Sequence, residues 1–416
     1  MYMKIQKINA MEILDSRGNP TIKTYVTLDD GSVHSASVPS GASVGKHEAL
    51  ELRDGDAQRY AGNGTLTAVK NIEMIFNDVL HGVEVSDPKT IDEKLIETDG
   101  TPNKGRLGAN AILGVSMAIH RASAYSTSTP LWKFLNTFYM EGSAPAFPGI
   151  FCNMVNGGKH ANWNFDIQEF IVVVKQSSIS ESARACSELF HALGAHLKSK
   201  GLSTLVGDEG GYSPALSSNR EVVDIVIEAS KDLPYAFNKD FKLSLDCAAS
   251  EYFKDGKYWN MKEKREISVD ELKSVYMELI NNYGLFSIED PFDQDDWDNY
   301  RIFTEELAGK TFVVGDDFLV TNPERIKRAI DEKAASAGLI KLNQIGTVKE
   351  TIDAIKLCKQ QQWQVVVSHR SGETEDSFIA DLAYAVGADY IKTGSMSRSE
   401  RLAKYNRLME IEKFEI

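Results

Sequence analysis

The stretch that decides the fold runs from Leu243 to Lys392. It is a series of short apolar runs, each closing on charge: LSLD (243–246), LFSIED (285–290), FVVGDD (312–317), GLIK (338–341), VVVSHR (365–370) and YIK (390–392). Measured between Asp246, Glu289, Asp316, Lys341, His369 and Lys392, the spacings are 43, 27, 25, 28 and 23 residues. After the first, each interval holds one strand, one loop and one helix, so the pattern is a βα repeat. Thr321-x-x-Glu324, with Pro323 in the first turn, and Thr347-x-x-Glu350 read as capping boxes that open two of the helices. Upstream, FCNMV (151–155) and IQEFIVVV (167–174) add two strands, giving the eight that close a barrel. Only about a dozen residues separate these two, too few for a helical crossover, so an antiparallel pair is expected. Two helices follow: Ser182 to Lys198, with Cys186, Leu189, Leu193 and Leu197 on one stripe, and one starting at Ser218-x-x-Glu221. The predicted order is ββαα(βα)6.

The first third is built differently. Ile22, Thr24, Val26 and Leu28 alternate with Lys23, Tyr25 and Thr27, and Asp30-Gly31 offers a turn before Val33 to Val38, so a β-meander is expected. Val69, Ile72, Phe76 and Leu80, then Ala111, Val115 and Ile119, fall at helical spacing. Breaks at Thr127–Pro130 and Glu141–Pro148 bracket a boundary near residue 138, between an α+β capping domain (1–138) and an α/β barrel domain (139–416).

A length of 416 residues suits two or three domains, and 42% hydrophobic with 25% charged residues is the composition of a globular chain. The net charge of −14, with no segregated basic patch, argues against nucleic-acid binding. The amino terminus lacks an unbroken apolar run of the secretory kind, and no segment approaches the ~18 apolar residues of a membrane span. Cys152, Cys186, Cys247 and Cys358 lack CxxC spacing and read as reduced thiols, which points to the cytoplasm; the Asn63-Gly64-Thr65 sequon is then a chance match.

In a β/α barrel, chemistry gathers at the carboxyl ends of the strands. Asp246, Glu289 and Asp316 end three successive strands, a like-charge group that calls for a cation, and all-oxygen ligands select a hard one such as Mg²⁺. Lys341, His369-Arg370 and Lys392 end the next three. A lysine in an apolar strand is costly to bury for structure alone, so Lys341 reads as a base whose pKa should fall by about 3 units to act near pH 7. Metal on one side and lysine on the other is the arrangement for removing a proton from carbon beside a carboxylate, a pairing already described for the enolase superfamily. Glu169 in the second strand and Glu209 in the glycine-flanked VGDEGG loop are further candidate acids. Gly41 to His47 is one residue short of a nucleotide-binding loop and has His47 where Ser or Thr is required. His191 and His196 read as a partly exposed helical pair, not metal ligands.

SGASVGKHEALELRDGD, NKGRLGANAILGVS, NGGKH, DIQEF, VGDEGGYSP, LDCAASEYFKDGKY, SIEDPFDQDDW, VGDDFLVTN, IKLNQIGTV, SHRSGETED and IKTGSMSRSERLAKYN occur in order over nearly the whole chain. Together these blocks resemble the enolase (phosphopyruvate hydratase) family. The resemblance implies reversible dehydration of 2-phosphoglycerate to phosphoenolpyruvate with two Mg²⁺ ions. By it, Lys341 matches the base that removes the C2 proton, Glu209 the acid that assists departure of the 3-hydroxyl, and Glu169 its support. Asp246, Glu289 and Asp316 match the ligands of the tighter ion, and Ser40 is similar to the residue that reaches the second. Arg370 and Ser371 match phosphate contacts; Lys392, His160, Gln168 and His369 match other substrate-binding positions. The likeness also implies a homodimer or larger assembly, and some relatives also occur at the cell surface. The five acids and three cations leave −2, and a phosphorylated hydroxy acid adds about −3, which two divalent ions would offset.

Three places depart from the family's usual pattern: Val44 stands for Thr in the mobile loop, Asn162-Trp163 follow His160-Ala161 where a more polar pair is usual, and Lys23 takes a commonly acidic position at a subunit contact. Two rival readings remain. One is a superfamily dehydratase of unphosphorylated sugar acids, against which Arg370 and Ser371 argue by suiting a phosphate. The other is a protein of the same fold that binds host or RNA-processing partners; relatives that do so use a terminal lysine, whereas this chain ends in isoleucine.

Overall fold

The computed structural model describes the chain apart from residues 1–2, 43, 142, 162 and 164 and the side chains of residues 160 and 161. The expected meander opens it: β1 (Ile5–Leu14), β2 (Pro20–Leu28) and β3 (Val33–Ser37) pair antiparallel in sequence order. Alternation sets the faces, with Ile22, Thr24, Val26 and Leu28 buried and Lys23, Tyr25 and Thr27 half-buried. Helix Ala109–Ser126 packs on this sheet and is buried along almost its whole length. It comes close enough at Gly114 that any side chain there would strike Thr24. The helical spacing from Val69 to Leu80 gives segments Leu66–Asn71 and Asn77–Leu80, joined through a wider turn at Ile72–Phe76.

The barrel begins with β4 (Gly149–Asn156), β5 (Glu169–Val174) and β6 (Phe241–Asp246). A small antiparallel ribbon follows, β7 (Phe253–Lys254), β8 (Lys257–Asn260) and β9 (Arg265–Ile267), which together with helix Val269–Tyr283 accounts for the long first interval. The barrel resumes with β10 (Ser287–Glu289), β11 (Phe312–Gly315), β12 (Ala337–Ile340), β13 (Gln364–Ser368) and β14 (Tyr390–Lys392). It closes in the order β10-β11-β12-β13-β14-β4-β5-β6. β5 runs antiparallel to both neighbours and every other barrel pair is parallel. With helices Ile179–Ser199 and Asn219–Ala229 between β5 and β6, this is the predicted ββαα(βα)6 order.

Two of the three expected helix starts hold: Ser218 and Thr347 accept the backbone N–H of Glu221 and Glu350. The third is corrected. Asn322, not Thr321, caps helix Pro323–Glu332, because the Thr321 hydroxyl is committed to Gln344 and to the backbone N–H of Lys341.

Inside the barrel, Phe151, Ile171, Val173, Val314, Ala337, Leu339 and Val366 form an apolar floor. Side chains on a strand alternate between faces, so a residue two positions nearer the rim shares the interior face. Glu169 thus shares the face of Ile171, Asp316 that of Val314, and Lys341 that of Leu339. The charged rim is the continuation of the apolar floor.

Candidate functional site

Strand register brings the acids together. Glu169 on β5 pairs with Asp246 on β6, which pairs with Glu289 on β10, so three carboxylates lie abreast on adjacent strands. Lys392 reaches across the barrel from the end of β14 into this row. Its Nζ lies 2.9 Å from Asp246 Oδ2, 2.8 Å from Glu289 Oε1 and 3.2 Å from Glu169 Oε2. Burial opposes the Lys392 charge, but the surrounding carboxylates hold its pKa well above the ordinary lysine value. One ammonium cannot neutralise three carboxylates. Burial, with Asp246 beside Glu289 and with Glu209 beside Glu169, pushes both glutamates well above the usual carboxylate range.

Asp316 follows β11 and lines a small polar cavity at the barrel mouth together with Gln168, Glu169, Glu209, Asp246 and Lys341. One Asp316 oxygen accepts from Gln344 Nε2 at 2.8 Å and the other pairs with Lys341 Nζ. Burial works against the Asp316 charge, but Lys341 and Lys392 outweigh it and keep the pKa low. The expected lowering of the Lys341 pKa is not met. Burial, the largest single influence, favours its neutral amine, but the acids around it, Asp316 first and then Glu289, together raise the pKa above the ordinary value. Arg370 and Lys392 act in the expected direction and are too weak to win.

Asp290 and Asp317, each the second acid of its doublet, join Asp316 with carboxylate oxygens within 4.8 Å of one another. This cluster is a candidate site for one divalent cation. Asp290 is largely engaged within the protein, accepting the backbone N–H groups of Asp316 and Asp317 and the Tyr300 hydroxyl. Burial and then Asp316 push its pKa up to about 7. Among these three, Asp316 is the member that also lines the cavity.

The opposite wall carries His369, Arg370 and Ser371 from the end of β13. Burial lowers the His369 pKa to about 4, so the imidazole is neutral. Its Nε2 faces Glu209 Oε2 at 3.5 Å, and Asn153 Nδ2 donates to the same oxygen at 3.1 Å. Arg370 forms a bidentate pair with Glu48 of the amino-terminal domain, at 2.8 and 3.1 Å, and donates to Asn343 Oδ1 at 3.1 Å. Glu48 also accepts the Gly45 N–H at 2.9 Å, and Ser371 Oγ accepts the Ala42 N–H at 2.6 Å, so residues 40–42 and 45–48 lie across this side of the barrel mouth. Gln168 lines the cavity with a buried Oε1 that has no hydrogen-bond partner among the described residues.

The structure does not bring Ser40 among the acids. Its backbone bridges to Gly372, and its hydroxyl sits between Glu51 Oε2 (3.1 Å) and Arg53 Nη2 (2.8 Å). The side chain of His160 lies outside the described residues, as do Ser43 and Asn162. Sequence reasoning missed Glu48, Asn153, Asn343, Gln344 and Arg401. Glu48 and Arg401 lie inside quoted blocks, yet nothing in their local pattern indicates partners 322 positions away for Glu48, at Arg370, or 32 away for Arg401, at His369.

Carboxylates on one side of a barrel mouth, a lysine among them and a guanidinium with a hydroxyl opposite define a metal-assisted lyase acting on an anionic carbon acid. Residues 5–135 match the family model described as the enolase N-terminal domain, and residues 145–415 match that of the enolase C-terminal TIM barrel domain. The chain belongs to the enolase family, and its activity is that of a magnesium-dependent hydro-lyase of the enolase type.

Proposed function

We propose that the protein catalyses the reversible dehydration of 2-phosphoglycerate to phosphoenolpyruvate. The observation that carries this reading is the single cavity that Glu169, Glu209, Asp246, Asp316 and Lys341 share with Arg370 and Ser371. Lys341 takes the proton from C2. Glu209, held by Asn153 and facing His369, gives a proton to the departing 3-hydroxyl, which leaves as water. Glu169 keeps a proton within reach of Glu209, since two buried carboxyls side by side resist full ionisation. Arg370 and Ser371 bind the phosphate, Lys392 the substrate carboxylate region, and Gln168, His160 and His369 orient the remainder.

The donor set at the rim is all oxygen and carries more negative charge than Lys392 can balance, which fits two hard divalent ions: one on Asp246, Glu289 and Asp316, the second involving Ser40. Bound Mg²⁺ would neutralise the charge that builds on the substrate carboxylate and, by engaging Asp316, free Lys341 from its ion pair. The purified protein with Mg²⁺ should generate the ultraviolet absorbance of phosphoenolpyruvate from 2-phosphoglycerate. Turnover of unphosphorylated sugar acids alone would overturn the assignment.

Residue 138 remains our proposed domain boundary; it falls in the last turn of helix Leu131–Tyr139, before the chain enters β4. Among the described residues no helix is long and apolar enough to cross a membrane. All four cysteines are buried and unbridged. The buried, unbridged cysteines support the proposed cytoplasmic location; a homodimer is proposed from family membership.

A further inference from the structure

We infer that Arg401, in helix Ser399–Phe414, is a positioning residue: it fixes the His369 proton on Nε2, facing Glu209, and ties together the two backbone segments that present Glu209, Arg370 and Ser371. The inference rests on the catalytic reading above and adds to it a residue that does not line the cavity. Arg401 is fully buried. Its Nη1 lies 2.6 Å from His369 Nδ1 and 2.6 Å from the Arg370 carbonyl oxygen. Its Nη2 donates to the carbonyls of Ser371 at 2.6 Å and Asp208 at 3.1 Å, and to Ser16 Oγ at 3.3 Å. The three carbonyls belong to Arg370, Ser371 and the residue before Glu209.

The tautomer follows from the chemistry of the pair. A guanidinium has donors only and stays charged, so a ring nitrogen at 2.6 Å from it must be the acceptor. His369 Nδ1 is therefore bare, and a neutral ring carries its hydrogen on Nε2, the atom that faces Glu209 Oε2. The charged groups that bear on the ring are Arg401 from the carboxyl-terminal helix, Glu209 from the glycine-rich loop and Glu373 from the loop after β13. Lys392 meets the His369 backbone through its carbonyl at 2.9 Å, while its ammonium is turned to the acid row. Burial and Arg401 disfavour the imidazolium, and Glu209 and Glu373 favour it. Without Arg401, Nδ1 has lost both its donor and the cation that excludes a second proton. Space for the guanidinium arm depends on Gly394, at φ +82°, where a Cβ would lie 2.8 Å from Arg401 Cδ and 2.8 Å from the Glu209 carbonyl oxygen.

The test combines ¹⁵N NMR of the histidine rings in the full chain, with His369 assigned by comparison with His369→Asn, and steady-state kinetics on 2-phosphoglycerate with Mg²⁺. In the wild-type protein the ring should be neutral with hydrogen on Nε2 between roughly pH 6 and 8. Arg401→Gln should give mixed tautomers and a titrating ring, a kcat about 100-fold lower with KM within about threefold, and an acid limb of the pH–kcat profile moved to higher pH. Arg401→Lys, which keeps the charge but reaches fewer acceptors, should recover part of kcat and the pH profile. Hydrogen on Nδ1 in the wild-type spectrum, or a folded Arg401→Gln with wild-type kcat and pH profile, would overturn the inference. If Arg401→Gln does not fold, the wild-type spectrum decides. Wild-type protein inactive on 2-phosphoglycerate would remove the catalytic reading and leave the tautomer measurement standing.

Discussion

Replacing Glu48 by Gln changes one charge and almost no volume, at the buried contact where the amino-terminal domain grips the barrel through Arg370. Breaking a buried ion pair by removing one partner costs about 3–5 kcal/mol, because the surviving charge stays buried. Glutamine can still accept the Gly45 N–H and one guanidinium N–H, and the bond from Arg370 to Asn343 remains, so the lower figure of about 3 kcal/mol applies. With an unfolding entropy of about 2.1 cal/mol/K per residue over 416 residues, that loss lowers Tm by about 3–4 °C for a chain that unfolds as a unit. Scanning calorimetry on wild type, Glu48→Gln, Arg370→Gln and the double variant measures it. The double variant should lose clearly less than the two single losses combined, since neither leaves the other charge stranded. Inorganic phosphate should raise the Tm of Glu48→Gln more than that of wild type, because it meets a less compensated guanidinium. A Glu48→Gln Tm within about 1 °C of wild type, or strictly additive losses, would refute the reasoning.

Lys341→Ala should lower kcat by about 10²–10⁴-fold and abolish exchange of the C2 hydrogen with solvent, measured by coupled kinetics and by NMR in deuterated water. A protein acting only through partner binding would keep its biological activity after that change. Chelation by EDTA should abolish turnover and added Mg²⁺ should restore it; Asp246→Asn and Asp316→Asn should each raise the Mg²⁺ concentration needed. Asp92, buried beneath helix Val348–Gln360, accepts the Lys349 N–H, and burial raises its pKa to about 7. Because the folded-state pKa exceeds the unfolded one, the folded chain holds that proton more tightly, and stability falls as pH rises from about 4 to about 7. Asp92→Asn should remove this slope and gain at most on the order of 4 kcal/mol at pH 8 relative to wild type, read by urea unfolding at pH 5 and pH 8.

The barrel was legible in the sequence because each short strand is an apolar run that ends in charge, and side-chain alternation carries the apolar floor directly into the polar rim. The antiparallel entry was legible because residues 156–169 leave no room for a crossover helix. The ribbon β7–β9 was not, since its short, charged strands carry no apolar run. Within the site, Asp246, Glu289 and Asp316 could be read from strand ends, but the place of Glu169 abreast of Asp246 and the partner each cation chooses could not. Lys341 looked like a lysine destined for a low pKa, yet the acids around it, Asp316 foremost, together reverse the sign that burial sets. Asp290 and Asp317 are the second members of acidic doublets, and only the folded structure separates an acid that holds backbone amides from one that lines the cavity. Thr321 looked like a helix cap until its hydroxyl was seen to be used at Gln344.

The reversed direction of β5 shapes what kinds of sequence change this enzyme can absorb. At the parallel strands, the segment that faces the cavity comes after the strand, so an insertion in it leaves the strand's own pairing untouched. At β5 the order is inverted: Gln168 and Glu169 sit at the strand's beginning, fed by residues 157–168 on their way back from β4. A single-residue deletion that slipped β5 by one position would turn Glu169 out of the barrel and bring a neighbour inward. Length variation in this hairpin should therefore be far less tolerated than in the loops after β10 or β13, a contrast that a deletion scan across the barrel rim would expose.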